Sequence, residues 1–171
     1  MSCELYKAIN DQINAELWSA YLYLSMSMDC EAKGYKGIAN WFFVQFQEEQ
    51  DHARIFMNYL NSRDEKVVLL PIAEVKTEWD TVLDMYKDTL NHERKVTAMI
   101  NNIAAIAEHD RDYASINRIT WFIDEQVEEE ESVREMISTF AAVEGNKYGM
   151  YMIDKELATR AYVAPSPLAA E

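Results

Sequence analysis

The stretch WFFVQFQEEQDHARIF, residues 41–56, decides the fold because it carries two patterns at once. Its apolar residues recur at spacings of three and four, the period of an α-helix with one buried face. Glu49 falls on this apolar stripe, and His52 follows one turn later on the same face. The sequence therefore predicts a helix that points a carboxylate and an imidazole into the protein interior.

Three other stretches show the same period, and each has a polar side chain in the middle of its apolar stripe. Glu16 interrupts the first stripe, Glu93 the third and Gln126 the fourth. All three prolines lie outside these stretches, which are therefore free of the strongest helix breaker. Four long helices are predicted, each with its polar side chain near mid-length.

The layout of these polar residues repeats after 77 residues. The repeat pairs Glu16 with Glu93, Glu48 with Glu125, Glu49 with Gln126 and His52 with Glu129. We expect two helical hairpins that turn near Gly34 and Arg111. Glu16 then lies 18 residues before its turn and Glu49 15 residues after it, which is roughly 27 and 22 Å by helix rise. The four inward positions can therefore form one layer across the bundle.

The remaining segments complete the predicted fold. Between residues 61 and 78 the periodicity breaks around Pro71, and this length fits a crossover that returns along the bundle. A short fifth helix is predicted at about 147–159. We therefore predict an all-α fold, a four-helix bundle with a long crossover between its second and third helices and a short C-terminal helix. One domain would span residues 1–160, and residues 161–171 would form a disordered tail.

The 171-residue chain is strongly acidic, with 30 acidic and 16 basic side chains and a formal net charge of -14. This charge repels phosphate backbones, so no nucleic-acid partner is expected. The sequence has no apolar run long enough to cross a bilayer and no signal-peptide pattern, which predicts a cytoplasmic protein without a membrane partner. Cys3 and Cys30 would lie on the order of 40 Å apart on one helix, so free thiols are expected.

A carboxylate on a buried stripe costs several kcal/mol unless it is paired, protonated or bound to a metal ion. Four acids would meet in the predicted layer, namely Glu16, Glu49, Glu93 and Glu129. No lysine or arginine shares their inward positions, so two divalent cations would neutralise the cluster. Carboxylates with one imidazole suit iron or manganese better than structural zinc, and Glu49 can bridge two ions. The Glu49-x-x-His52 spacing alone is common on helix surfaces, but four polar residues at one depth favour a di-iron centre.

Other residues near this layer carry weaker signals. Tyr23 lies two turns beyond Glu16 on the same stripe, and is either a hydrogen-bond or electron donor to the site or an ordinary core residue. His92 and His109 lack partners at ligand spacing and are interpreted as solvated or capping side chains. Trp18 and Trp121 are interpreted as packing residues.

The most specific motifs are three segments from three of the predicted helices. They are ELYKAINDQINAELWSAYLYLSM (residues 4–26), WFFVQFQEEQDHARIF (41–56) and TWFIDEQVEEE (120–130). In this order and spacing they resemble the bacterial non-haem ferritins, over residues 1 to about 160. The resemblance implies a ferritin-like bundle and a hollow shell of 24 subunits that oxidises Fe(II) with dioxygen or hydrogen peroxide and stores Fe(III) mineral.

The resemblance also implies roles for individual residues. The first iron site would be held by Glu16, Glu49 and His52. A second site, joined to the first by the bridging Glu49, would be held by Glu93, Gln126 and Glu129. A third iron site would be formed by Glu48, Glu125, Glu128 and Glu129, although such an acidic run is usually only a solvated helix face. Catalysis would depend on Glu16, Glu49, His52, Glu93, Gln126 and Tyr23.

Two departures from related patterns bear on function. The fourth helix has Gln126-x-x-Glu129 where a second Glu-x-x-His motif would make a symmetrical di-iron site, and such an unequal site suits iron in transit to storage. Bacterioferritins place a haem-binding methionine between the first glutamate and the histidine of this motif. Here that position is Gln50, so haem is not expected.

Three alternatives remain open from the sequence. A di-iron oxidase or peroxidase of the rubrerythrin type would use its metals without storing iron, but the chain has no Cys-x-x-Cys pair for a rubredoxin-like centre. A miniature DNA-protecting relative would build its sites across a subunit interface, whereas these ligands converge within one bundle. A metal-free helical scaffold would need no acids on its buried stripes.

Overall fold

The computed structural model describes residues 1–168, which form five helices and contain no β-strand. The helices are α1 (Cys3–Lys33), α2 (Lys36–Ser62), α3 (Val82–His109), α4 (Tyr113–Ala142) and α5 (Lys147–Leu157). In these residues, no helix has both the length and the apolar character that crossing a membrane requires. The predicted all-α bundle with a long crossover and a short fifth helix is confirmed.

Two left-handed residues mark the turns of the two hairpins. Gly34 closes α1 with a φ of +86°, and its backbone N–H donates to the end of that helix. Arg111 follows α3 with a φ of 54°, a conformation that is uncommon for a residue with a side chain. These are the two turn positions that the 77-residue repeat predicts. The two hairpins therefore present equivalent positions of their helices at similar depth.

Side-chain caps fix where four of the helices begin, among them α5, which is capped by Asn146. The hydroxyl of Ser2 accepts a hydrogen bond from the backbone N–H of Leu5, and Thr81 and Asp112 cap α3 and α4 in the same way. These residue types are favoured at helix N-termini because their oxygens satisfy an otherwise unpaired backbone N–H. Asp112 is itself fixed by two hydrogen bonds from the guanidinium of Arg63, at 2.9 and 3.0 Å.

The crossover, residues 63–81, lies along α1. The side chain of Asn10 both donates to the carbonyl of Val68 and accepts from its N–H, at 2.7 and 2.8 Å. Four turns further along α1, the hydroxyl of Ser25 donates to the carbonyl of Lys76. The crossover thus returns the chain along the bundle, so that α3 can begin at the end where α2 began.

The buried apolar side chains fall into two clusters, one on each side of the polar layer. One cluster contains Tyr23, Phe42 and Tyr86, and the other contains Phe56 and Phe122 together with the aliphatic residues near the N-terminus. Glu16, Glu49 and Glu93 lie on their helices between these clusters. Apolar packing on both sides keeps the polar layer buried and holds in place the helices that carry it.

The fifth helix docks against the start of α2 through one close approach. The carboxylate of Asp154 accepts hydrogen bonds from the backbone N–H groups of Gly37 and Ile38, both at 2.9 Å. A Cβ atom at Gly37 would lie 1.5 Å from the carbonyl oxygen of Asp154, so only glycine fits here. The carboxylate of Asp154 thus caps the N-terminus of α2, because the side chain of Tyr35, the N-cap residue of α2, makes no capping hydrogen bond.

The segment after α5 differs from the predicted disordered tail. Tyr162 donates a hydrogen bond to Asp51, and Leu168 is buried against the apolar cluster near the N-terminus. The Ala, Pro and Ser content of the segment suggests disorder, but Tyr162 holds it on α2 and Leu168 holds it on the apolar cluster. The last residues of the predicted tail, 169–171, lie outside the described residues.

Candidate metal centre

Glu16, Glu49 and His52 form a buried cluster with the composition of a metal site. One ligand atom from each lies within 4.8 Å of the others, and the three residues are 1%, 2% and 2% exposed. They are the only such group in the described part of the chain. Glu16 comes from α1, whereas the other two come from consecutive turns of α2, so the first hairpin alone assembles the cluster.

Two oxygen atoms in this cluster have no hydrogen-bond partner. They are Oε2 of Glu16 and Oε2 of Glu49, and both are buried. The other oxygen of Glu16 accepts from Nε2 of Gln12 at 2.8 Å, and Oε2 of Glu49 lies 3.4 Å from Nδ1 of His52. A buried polar atom without a partner is rare in folded proteins and calls for an explanation. A cation between the two carboxylates supplies one.

The electrostatics of the layer also favour a cation. Burial, and then the charge of Glu49, raises the pKa of Glu16 well above its usual value. Burial, and then the charges of Glu93 and Glu129, raises the pKa of Glu49 in the same way. Burial followed by the charge of Glu93 raises the pKa of Glu129 to about 8. Without metal, burial and mutual repulsion therefore favour the protonated forms of these acids, and a bound cation would replace those protons.

Glu93 is the centre of the second half of the layer. It is fully buried, and Tyr23 donates a hydrogen bond to its Oε1. Nε2 of Gln126 donates to its Oε2 at 3.1 Å and also approaches Oγ1 of Thr97 at 3.3 Å. Both oxygens of Glu93 therefore have partners, which orient the carboxylate toward the layer. Tyr23 therefore lies beside the layer, in contact with Glu93.

Glu129 is buried and held by a residue that the sequence analysis did not single out. Nε2 of Gln45 donates to Oε2 of Glu129 at 2.9 Å, across the bundle from α2 to α4. Gln45 lies one turn before Glu48 and Glu49 on α2, and this spacing could have indicated that it faces the layer. The sequence did not show that the Gln45 side chain points inward, because aromatic residues lie near it on several sides of the helix.

The outer acids are placed next to the layer but are not gathered into one group. Oε2 of Glu48 lies 2.8 Å from the guanidinium of Arg160, and Oε1 of Glu125 lies 3.9 Å from Nε2 of His52. Burial raises the pKa of both acids. Glu128 is exposed. The structure thus brings Glu48 and Glu125 to the edge of the candidate centre.

Aromatic rings set the orientation of the histidine in the cluster. The imidazole of His52 lies with its centroid 5.6 Å from Trp121 and 5.8 Å from Phe122, both in edge-on geometry. The two aromatic rings of α4 therefore hold the imidazole in place, while its Nδ1 faces Glu49. Trp121 acts in packing, as its position predicts.

The interpretation of His92 as a solvated side chain was wrong. Its Nε2 is hydrogen-bonded to the hydroxyl of Ser19 at 2.7 Å, and its ring lies between Trp18 and Tyr23 at centroid distances of 5.1 and 6.1 Å. Burial lowers its pKa. The side chain is half-buried because Trp18 and Ser19 of α1 lie against it. His109, with its side chain 89% exposed at the end of α3, is solvated as predicted.

Comparison with known proteins agrees with this geometry. Residues 6–143 match the model of the Ferritin-like domain family. Bacterial non-heme ferritins from Staphylococcus epidermidis and Staphylococcus aureus are 36% and 35% identical to the chain over 162 residues, which cover 95% of this chain and 98% of each relative.

Solved structures give the same result. An open pore ferritin from the hyperthermophilic archaeon Archaeoglobus fulgidus superimposes with a TM-score of 0.93 at 37% identity, over 94% of this chain and 99% of that one. A closed form of the same ferritin, engineered by mutagenesis, has a TM-score of 0.93 at 36% identity, over 95% and 99%. The chain therefore belongs to the ferritin-like family. Within that family it is similar to the bacterial non-heme ferritins.

Proposed function

We propose that this protein stores iron and oxidises Fe(II) at a ferroxidase centre inside its helical bundle. Iron storage is the function that family membership supports over almost the whole chain. The observation that carries the ferroxidase proposal is the buried cluster of Glu16, Glu49 and His52 with its two unpartnered carboxylate oxygens. Such a cluster is unfavourable without a cation and fits one well.

The proposed centre binds two iron ions as substrates. The first would be bound by Glu16, Glu49 and His52. The second would be bound by Glu93, Gln126 and Glu129, with Glu49 shared between the two ions. Two ions held about 3.5 to 4 Å apart can deliver two electrons together. Each Fe(II) gives one electron, so that one dioxygen and two protons become hydrogen peroxide, or one hydrogen peroxide and two protons become two waters.

The protein's own residues set the conditions for this step. Tyr23 and Gln126 orient Glu93 by hydrogen bonds, and the raised pKa of Glu129 allows that residue to release a proton when iron binds. In this proposal, Tyr23 either only positions Glu93 or also donates an electron. The amide of Gln126 is a weaker ligand than a carboxylate, which favours release of oxidised iron from the second position.

We also propose that the protein assembles into a shell of 24 subunits and acts in the cytoplasm without haem. Apolar side chains such as Tyr21 and Met28 on α1 are half exposed in the single chain, and so is Phe43 on α2. Burial of these side chains between subunits would remove apolar surface from water. Gln50, at the position where a haem-binding methionine would be needed, is exposed and supplies no thioether.

In the same proposal, the outer acids Glu48, Glu125, Glu128 and Glu129 bind a third cation. The contact between Glu125 and His52 supports this, because it joins the outer acids to the first iron position. The third position would then receive iron that leaves the paired sites.

Stopped-flow absorbance after addition of Fe(II) tests the ferroxidase proposal. Glu49→Ala removes the carboxylate that both iron positions share, so we expect the rapid oxidation phase to be abolished. Glu131→Ala, which removes an exposed carboxylate from α4 outside the layer, is the matched control and should keep the rapid phase. An unchanged rapid phase in Glu49→Ala would refute the assignment.

A further inference from the structure

The chain that follows α5 runs back along α2 and crosses the edge of the metal centre. We call residues 158–168 the C-terminal strap. Asn40 donates to the carbonyl of Arg160 at 2.9 Å, Tyr162 donates to Asp51, and Leu168 is buried in the apolar cluster beyond. The two anchors on α2, Asn40 and Asp51, lie about three turns apart, so the strap has a defined path. Arg160 lies on this path beside the outer acids.

The guanidinium of Arg160 is fixed by four contacts. Nη1 donates to the carbonyl of Trp41 at 3.1 Å, and the cation lies 4.7 Å above the centre of the indole ring. Nη2 donates to Oε1 of Gln45 at 2.5 Å and to Oε2 of Glu48 at 2.8 Å. A planar fork with several donors suits such a set of acceptors, which a lysine ammonium could not reach together. Arg160 therefore occupies Glu48 in a defined geometry.

Through Gln45, Arg160 also acts on a buried acid that it does not touch. Because the amide oxygen of Gln45 accepts from Arg160, the amide nitrogen must point the other way. It donates to Oε2 of Glu129 at 2.9 Å. A rotated amide would place its oxygen against the carboxylate of Glu129 and its nitrogen against the guanidinium, which is unfavourable on both sides. The strap thus determines the partner of Glu129 as well as that of Glu48.

We propose that Arg160 is a positioning residue that controls the third cation position, by holding Glu48 directly and Glu129 through Gln45. A cation reaches both carboxylates only when the guanidinium moves away. This inference rests on the proposed function, because Glu48 and Glu129 belong to the outer acids assigned above. The need to displace Arg160 lowers the apparent affinity of the third position in wild-type protein, since only the fraction of molecules with the strap released can bind there.

A titration with terbium(III), a redox-inert cation that prefers oxygen ligands, measures this effect without iron oxidation. Wild-type protein and Arg160→Gln are titrated as complete assembled proteins, and the number and affinity of bound ions are determined by luminescence. We expect the weakest of three binding events to become up to about fivefold tighter in Arg160→Gln, the effect of losing one competing ion pair. The two tighter events should change by less than about twofold.

Two further variants make the result specific. Arg54→Gln removes one positive charge from α2, the helix along which the strap runs, but Arg54 lies 3.8 Å from Asp51 rather than beside Glu48, so the third event should not change. Arg160→Lys keeps the charge without the fork, and should tighten the third event less than Arg160→Gln does. If Arg160→Gln fails to assemble, Arg160→Lys is compared with wild-type protein instead.

Equal affinities of the third event in wild-type protein and the Arg160 variants would overturn the inference. An equal gain in Arg54→Gln would also overturn it, because the effect would then be general electrostatics. Failure of the proposed function has a different signature, since the two tight events would be missing from the wild-type protein itself.

Discussion

Removing the charge of Glu129 should stabilise the metal-free protein at neutral pH. Burial raises the pKa of this carboxyl from 4.5 to about 8, whereas the unfolded chain keeps the ordinary value. Between these two values the folded protein binds one more proton than the unfolded chain. The free energy of unfolding therefore falls as pH rises through this window, and the stability present below pH 4.5 is lost by about pH 8.

The size of the effect follows from the pKa shift. From pH 4.5 to pH 7 the window spans about 2.5 pH units, and at about 1.36 kcal/mol per unit this amounts to about 3 kcal/mol. Glu129→Gln has no proton to hold, and its side-chain oxygen can still accept from Gln45. We expect the metal-free variant to be more stable than wild-type protein by about 3 kcal/mol at pH 7 and equally stable at pH 4.5.

Urea unfolding in the presence of a chelator, at one fixed protein concentration, measures this difference at both pH values. Glu131→Gln is the matched control on the same helix and should show no pH-dependent gain, since Glu131 is exposed. The reasoning would be refuted if Glu129→Gln were no more stable to unfolding than wild-type protein at pH 7, or if its gain in stability were the same at both pH values. Added divalent metal should narrow the gap, because it stabilises wild-type protein more than the variant.

Two further predictions concern the dock of α5 and the cost of the buried acids. Gly37→Ala would place a methyl group 1.5 Å from the carbonyl oxygen of Asp154, so α5 should undock at a cost of about 1 to 3 kcal/mol. Limited proteolysis should then show faster cleavage after α4. An unchanged digestion pattern would contradict this. The double variant Glu49→Leu/His52→Leu should bind no iron in an uptake assay yet match or exceed the metal-free wild-type protein in thermal stability, because apolar packing replaces an uncompensated buried charge. Iron uptake at the wild-type level in this variant would mean that the ions bind elsewhere.

Most of the fold could be predicted from the sequence because two independent patterns agree. Helical periodicity fixes which face of each helix is buried, and the 77-residue repeat fixes where the two hairpins turn. The left-handed residues Gly34 and Arg111 lie at those turns. The proximity of Glu16, Glu49 and His52 followed from the same two patterns, since a helix position and a distance from the turn together define a location in the bundle.

The partners of these ligands could not be predicted in the same way. Gln45 and Arg160 meet only because the C-terminal strap returns along α2, and no periodicity encodes that path. His92 was misplaced for a related reason, because its cover by Trp18 depends on how closely α1 and α3 pack. Contacts made by an irregular segment, or by the spacing between two helices, require the tertiary structure.

The two tight turns have a consequence for how this chain can change in length. Each residue added between Gly34 and Glu16, or between Gly34 and Glu49, would move a ligand by about 1.5 Å along its helix and rotate it by about 100°, out of reach of its partners. The crossover carries no ligand and can absorb insertions at small entropic cost. The number of residues between each turn and its ligands is therefore fixed. Insertions and deletions should be confined to segments of the chain outside these stretches.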